Sequence, residues 1–432
     1  MMKNFKYAAM MAAALTLSFS SCSNNEDLGN EGIAVAGSPT KMTLAITQPS
    51  TYAADGNATG DEVSIKTVDV YIYSGTTFVK RQSLSVAAGD FVQDGTDPAI
   101  WKLASGKEIA TTTGSKTIYV GVNLSATLAD AIAGTDPAAI AQTIADASQL
   151  QGVTGFAMFS REGKTADLVA VDDSDYPTKN TVKVGVARLL AKVVVKQGAG
   201  LLNTDITGGV LHDLEFTVSN VNTKFFPLPS TTFVDPNHTS PWSMLSEFIA
   251  GTSYEGVNAS SASVTTANAI YTTENTSAGD LQGEHTYVSV RGTFVPTTIN
   301  GWDGTDLTTE TGIAKGDTFY KVVVNGKSYF FSDATQAADY ASDKSSTLVE
   351  YTNGLAYYNV FLNPKPDSGK EMKFDVLRNT IYTVNITKIN GLGDGEDPLD
   401  PTDPIDGPTN LSVEIDIEDW AMKSQDSELT GK

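Results

Sequence analysis

The sequence predicts an all-β protein of two antiparallel β-sandwich domains with one short helical insertion. Three observations predict it. Runs with period-2 alternation recur along the whole chain, and such alternation buries one face of a strand while wetting the other. Helical signal is scarce, and only one run shows it clearly. The chain has 432 residues, 41% of them hydrophobic, so at roughly 100–200 residues per domain it can build two cores.

The first element is a leader. Lys3 and Lys6 precede an apolar or small run from Tyr7 to Phe19, followed by Ser20, Ser21 and Cys22. A basic start, an apolar stretch of roughly 7–15 residues and small residues before a cut describe a secretory signal peptide. The run is shorter than the roughly 20 residues a membrane-spanning helix needs. Cys22 is the only cysteine in the chain, so it cannot form an internal disulfide. Its place resembles that of the lipid-accepting cysteine of bacterial lipoproteins. The expectation is a signal peptide over residues 1–21 and lipidation at Cys22.

Strands follow in order. Met42, Leu44 and Ile46 alternate with Thr43, Ala45 and Thr47, and a polar loop, 49–62, comes next. In "TVDVYIY", Val68, Val70 and Ile72 share one face and Asp69, Tyr71 and Tyr73 the other. β-Branched runs recur at 116–122, 182–196, 214–221, 286–295, 320–331 and 379–389. Within "VNGKSY" the Asn-Gly pair predicts a tight hairpin turn, since both central residues need positive φ. The helical run is 135–150, where Thr135 or Asp136 can cap, Pro137 suits the first turn, and Ile140 and Ile144 share a face. A polar stretch over 160–181 places a domain boundary near 180–187. The segment 391–410 is rich in Gly, Pro and Asp and predicts an exposed loop. After it Leu411, Val413, Ile415 and Ile417 alternate with Ser412, Glu414, Asp416 and Glu418.

Composition excludes several functions. Lys plus Arg is 29 against 51 Asp plus Glu, a net charge of −22, which repels nucleic acid. His212, His238 and His285 have no metal-ligand spacing. Ser38 and Lys41 fit a Ser-x-x-Lys pattern but lie on no predicted helix, and "GLGDG" opens into a Pro-Asp loop where a phosphate cradle needs a helix. The acidic stretch 394–406 has oxygen ligands for Ca²⁺, but its prolines and lack of a repeating ligand pattern favour a solvated linker. Trp101, Trp242 and Trp302 suit core or domain contacts, with stacking on sugar rings as the alternative. No catalytic residue, cofactor or metal site is expected.

Together the segments resemble the fimbrillins of Bacteroidales, subunits of lipoprotein-derived fimbriae. The resemblance runs from about residue 40 to the C-terminus. It rests on "EVSIKTVDVYIYSG", "KTIYVGVNLSATLADAIAG" and "GFAMFS" in the first half, and on "VGVARLLAKVVV", "YYNVFLNPKP", "LRNTIYTVNITKINGLG" and "LSVEIDIEDW" in the second. It implies transthyretin-like sandwiches at 53–185 and 186–432, and a lipidated propeptide, 22–52, whose removable strand holds Met42, Leu44 and Ile46. It implies a precursor held in the outer membrane by lipid at Cys22, cut by an extracellular protease and then built into a surface fimbrium. Its partners would be other copies of the chain and accessory fimbrial subunits. The processing region falls at Thr51, Tyr52 and Ala53, with Tyr52 where the family has arginine. Leu411, Val413, Ile415, Ile417 and Trp420 become candidates for the strand donated to a neighbour. The competing reading is a permanently anchored surface lipoprotein that binds glycans or a protein.

Overall fold

Alternation of branched and polar residues is realised as two successive sets of strands that change sheet at Leu189. The structure is a computed structural model. It describes residues 37–423 apart from 49, 52–57, 59, 135–144, 147–149, 151–154, 173–177, 200, 202–204, 207, 230–233, 237, 239–247, 311, 364–372, 406–410 and 420–421. Cys22 and the leader, Tyr52, Ala53, Trp242, Trp420 and nearly all of the helical run 135–150 therefore lie outside the described residues.

The first set comprises β1 (Pro39–Thr47), β2 (Thr67–Ser74), β3 (Thr77–Ser85), β4 (Phe91–Gln93), β5 (Ile100–Leu103), β6 (Ile109–Thr112), β7 (Gly114–Val122), β8 (Met158–Ser160), β9 (Lys164–Leu168) and β10 (Thr181–Arg188). They form one ten-stranded sheet in the order β3-β2-β7-β8-β10-β1-β5-β4, with β9 also on β7 and β6 also on β1. Val70 of β2 and Phe91 of β4 come from near opposite ends of that order, yet they share a core with Leu44, Val120 and Val184. The sheet must therefore fold over on itself into two layers.

Strand β2 departs from the expected half-wet pattern, because both of its faces are buried. The second face, Tyr71 and Tyr73, packs with Tyr119 and Phe159 beneath Leu128 and Ile132 of helix α1 (Ala126–Ile132). Ser125 caps that helix by accepting from the Leu128 N–H. The cover thus comes from a seven-residue helix too short to show a period of its own.

The second set comprises β11 (Leu190–Gln197), β12 (Gly209–Ser219), β13 (Tyr287–Pro296), β14 (Leu355–Phe361), β15 (Thr380–Ile389) and β16 (Leu411–Asp419). One five-stranded sheet runs 258–259, β11, β15, β16, with 269–273 also on β11; the other runs 205–206, β12, β13, β14, with 255–256 also on β12. Val193, Val195, Val384 and Ile386 from the first meet Phe216, Val288, Val290 and Tyr358 from the second, which makes a sandwich. The excursion between β13 and β14 carries strands 319–324, 327–331 and 348–351 and helix α2 (Ala334–Asp343). Its hairpin turns at Asn325 and Gly326, φ 52° and 77°, as the Asn-Gly pair predicts.

The Gly/Pro/Asp segment is corrected. Residues 391–405 form a strap against the sandwich. Tyr357 and Asp394 exchange both backbone hydrogen bonds at the open edge of β14, and Leu281 bridges Pro404. Leu399 and Ile405 pack on Tyr287, Phe361 and Phe374. Burial raises the Asp394 carboxyl and lowers the Lys321 ammonium beside it. The glycines explain the close approach: a Cβ on Gly395 would lie 1.9 Å from the Glu350 carbonyl oxygen, and one on Gly393 2.3 Å from that of Tyr357. What reads as flexibility is the absence of side chains where two backbones touch.

Candidate functional site

Strand β1 occupies an interior slot although it is the first described strand of the chain. Residues Thr43–Thr47 run parallel to Thr181–Gly185 of β10, Ala45–Thr47 run antiparallel to Ile100–Lys102 of β5, and Pro39–Met42 run antiparallel to Ile109–Thr112 of β6. Both backbone edges are thus paired. Met42, Leu44 and Ile46 are at most 1% exposed, so the three side chains contribute very roughly 5–9 kcal/mol of apolar burial to the first core.

Side chains key the strand into place. The Thr40 hydroxyl donates to the Val169 carbonyl at 2.7 Å. Asn180, held at φ 56° where asparagine is tolerated, donates to the Thr40 hydroxyl at 3.2 Å, the Lys41 carbonyl at 2.9 Å and the Val169 carbonyl at 2.8 Å. It also accepts from the Val169 N–H. At the other end the buried Gln48 amide donates to the Val63 carbonyl at 2.9 Å, while its Oε1 has no hydrogen-bond partner among the described residues.

The chain leaves β1 through the loop 49–62. Of the processing residues only Thr51 is described: Ser50 and Thr51 pair in parallel with Met422 and Lys423. At the end of the loop, Glu62 is buried at the junction of the two sets of strands. Its carboxylate accepts from Lys192 Nζ at 2.7 Å and from the Tyr271 hydroxyl at 2.8 Å. Its carbonyl accepts from Arg188 Nε at 2.7 Å, and Arg188 also reaches Asn379. Burial pulls the Arg188 guanidinium down to about 10. Sequence reasoning passed over Glu62, Arg188 and Lys192. The available signal was two cations set among apolar residues in "VARLLAKVVV", where solvated strand positions would be flanked by polar ones.

The alternating row near the C-terminus forms β16, an edge strand. It pairs antiparallel with β15 on one side and, among the described residues, with nothing on the other. Leu411 is 1% exposed, Val413 and Ile415 are packed against the second core, and Ile417 is 40% exposed. The structure therefore does not bring the two apolar rows together: one fills an interior slot of the first sheet, the other closes an edge of the second core.

The remaining candidates do not assemble a site. His212 lies on β12, His238 Nδ1 contacts the Thr276 hydroxyl at 2.9 Å and His285 Nε2 contacts the Gly279 carbonyl at 3.1 Å. Among the described residues no group of three or more His, Cys, Asp or Glu could hold a metal ion, and no helix is long and apolar enough to cross a membrane. Trp101 sits on β5 opposite Ile46, and Trp302 packs edge-on against Tyr340.

Residues 349–426 match the family model "Major fimbrial subunit protein type IV, Fimbrillin, C-terminal". The minor fimbrium subunit Mfa1 of Porphyromonas gingivalis is 33% identical over 139 residues, which is 31% of this chain and 27% of that protein. The chain thus spans about a quarter of the length of the curated relatives it matches. Among solved structures, a fimbrilin (FimA) of P. gingivalis W83 aligns over 89% of this chain and 99% of its own, at 13% identity and a TM-score of 0.47. The tip fimbrial protein Mfa3 of P. gingivalis, with a C-terminal truncation, aligns over 88% and 100%, at 13% identity and a TM-score of 0.40.

Proposed function

We propose that the chain, which matches the fimbrillin C-terminal family model over residues 349–426 and is similar to Mfa1 over 139 residues, is a structural subunit of a cell-surface fimbrium that polymerises by strand addition. The precursor is exported, lipidated at Cys22 and held in the outer membrane. An extracellular protease cuts the loop 49–62, β1 departs, and the C-terminal segment of another copy enters the slot it leaves. Accessory fimbrial subunits join the same way. Its work is assembly and adhesion, with no chemistry at a catalytic centre.

One observation carries this reading. An interior strand with partners on both edges is joined to everything after it by a single loop. A single cut there frees a whole strand without breaking any later connection. The emptied slot then presents two unpaired backbone ladders and three apolar pockets, the combination that strand addition uses for affinity and for specificity. A slot opened at a sheet edge would offer one ladder only.

The test is N-terminal sequencing and intact mass of subunits sheared from cells. Mature subunits should begin inside 49–62 and lack lipid. Assembled subunits that still begin at Cys22 with their lipid attached would instead identify a permanently anchored lipoprotein. A Cys22→Ala chain, labelled with fatty acid, should carry no label and reach the surface in reduced amount.

A further inference from the structure

The outer face of the second sandwich carries polar groups that its own fold leaves idle. On the sheet β12-β13-β14 the residues pointing away from the core stand in registered rows. Glu215, Arg291 and Tyr357 form one row, and Ser219, Tyr287 and Phe361 form another. Between these two runs a row of shorter side chains, Thr217, Ser289 and Asn359. We propose that this middle row is the floor of a binding site for a neutral saccharide, with the Asn359 amide as its central contact. The site lies apart from β1 and stands whether or not subunits join by strand addition.

Asn359 points to a ligand. Its Nδ2 and Oδ1 are both closed off from solvent, and among the described residues neither has a hydrogen-bond partner. A buried polar atom left unpaired is costly, and here one side chain leaves a donor and an acceptor unpaired together. Asn275 and Asn363 also have an unpartnered oxygen, but each places its Nδ2 on a protein acceptor. Two adjacent ring hydroxyls are the chemical complement of a free amide. One accepts from Nδ2 and its neighbour donates to Oδ1.

The surroundings supply further contacts of the same kind. Ser289 is 0% exposed, and among the described residues its Oγ meets only the Tyr254 hydroxyl, at 3.4 Å. The Tyr287 hydroxyl donates to the Asp397 carboxylate at 3.1 Å. Burial, with the Asp397 charge nearby, raises both tyrosine hydroxyls, so they stay protonated and able to donate. A free amide, hydroxyls, a carboxylate and tyrosine rings in one place suit an uncharged polyhydroxylated ring. Asp397 opposes an anionic one. Arg291 is already engaged, bonded to Glu215 at 2.9 and 3.1 Å and lying 3.6 Å over the Tyr254 ring.

Two segments close over the floor. The strap reaches it through Asp397. From the β12 side comes the segment 250–256, whose hold is slight. Residues 255–256 pair with Glu215 and Phe216, and the Gly251 N–H donates to the Ser219 hydroxyl at 2.9 Å. A saccharide enters as Tyr254 swings aside, and its hydroxyls replace the long Tyr254–Ser289 contact. Trapped water is the competing occupant. The two differ in what Asn359 does for stability: water on the amide makes it a structural group, whereas an empty amide is kept for a ligand.

Titration of the uncut chain with methyl α-glucoside, methyl α-galactoside and methyl α-mannoside, read by saturation-transfer NMR, separates these occupants. At least one of the three sugars should receive saturation from the protein. Asn359→Leu, apolar and of similar size, should weaken that binding about tenfold. It should leave the urea midpoint unchanged or higher, because the amide it removes has no partner in the free protein. Ser289→Ala should weaken binding as well, by less. Full binding retained in both variants would overturn the site. A lowered midpoint in Asn359→Leu, with no sugar signal from the parent chain, would make trapped water the partner of the amide and overturn the proposal. Absence of signal from all three sugars would overturn the ligand class.

Discussion

Strands β1 and β16 carry nearly the same alternating pattern, yet the fold uses them in opposite ways. The first is interior, paired on both edges, with its three apolar side chains at most 1% exposed. The second is an edge strand whose burial fades from Leu411 at 1% to Ile417 at 40%. The difference teaches that a period of two sets which face of a strand is apolar and says nothing about how many neighbours the strand has. Neighbour number is what separates a strand whose removal would open a slot from one whose removal would only strip an edge.

The comparison breaks most visibly at Leu44. Leu44→Asp places an unpaired carboxylate at a fully enclosed position and should cost roughly 5 kcal/mol, read by urea unfolding of the uncut chain. A midpoint close to the parent's would mean that β1 is already loosely held before processing. Glu62→Ala comes next. It leaves Lys192, 3% exposed at its side chain, without its carboxylate, a loss of about 3–5 kcal/mol. The same change should weaken the junction between the two sets of strands, so limited proteolysis should newly cut near 189. Unfolding in one transition at the parent's midpoint would mean that the pair contributes nothing there.

Gly395→Ala should act locally. Its Cβ cannot coexist with the Glu350 carbonyl oxygen, so the strap must lift, at a cost of about 1–3 kcal/mol. Faster hydrogen exchange confined to 391–405 and β14 checks this, and unchanged exchange would refute it. The smallest effect belongs to Ile417→Asp, which at 40% exposure should move stability by about 0.5 kcal/mol while reducing fibre formation. Placed beside Leu44→Asp, it is the sharpest contrast between the two strands. Equal destabilisation by both would erase it.

Much of this was legible in the sequence, and the exceptions share a cause. The all-β class, the Asn-Gly hairpin and the alternating rows depend on local spacing, which a sequence displays directly. The burial of the second face of β2 is not legible from alternation, because its cover, α1, comes from residues 126–132, more than fifty positions away in the chain. Glu62 looks like an ordinary surface charge, and Arg188 and Lys192 stand out only by their apolar neighbours, until the segments around 62, 188–192, 271 and 379 meet and leave them no solvent. The strap looked like a linker because glycine serves both freedom and close approach, and only the partner backbone tells them apart. The candidate slot was half legible. Its apolar row could be read at once, but the parallel pairing with β10 and the Asn180 grip are tertiary facts.

The strap has a mechanical consequence. It joins β15 to β16 by way of the opposite sheet, lying along β14 with the Tyr351 hydroxyl on the Gly393 carbonyl and the Tyr358 hydroxyl on the Gly391 carbonyl. In a filament linked through the segment after residue 408, tension would enter each subunit at the strap before reaching β15. It would meet the Tyr357–Asp394 pair and both tyrosine bonds on the way. Force on the filament would thus be spread over both layers of the second sandwich.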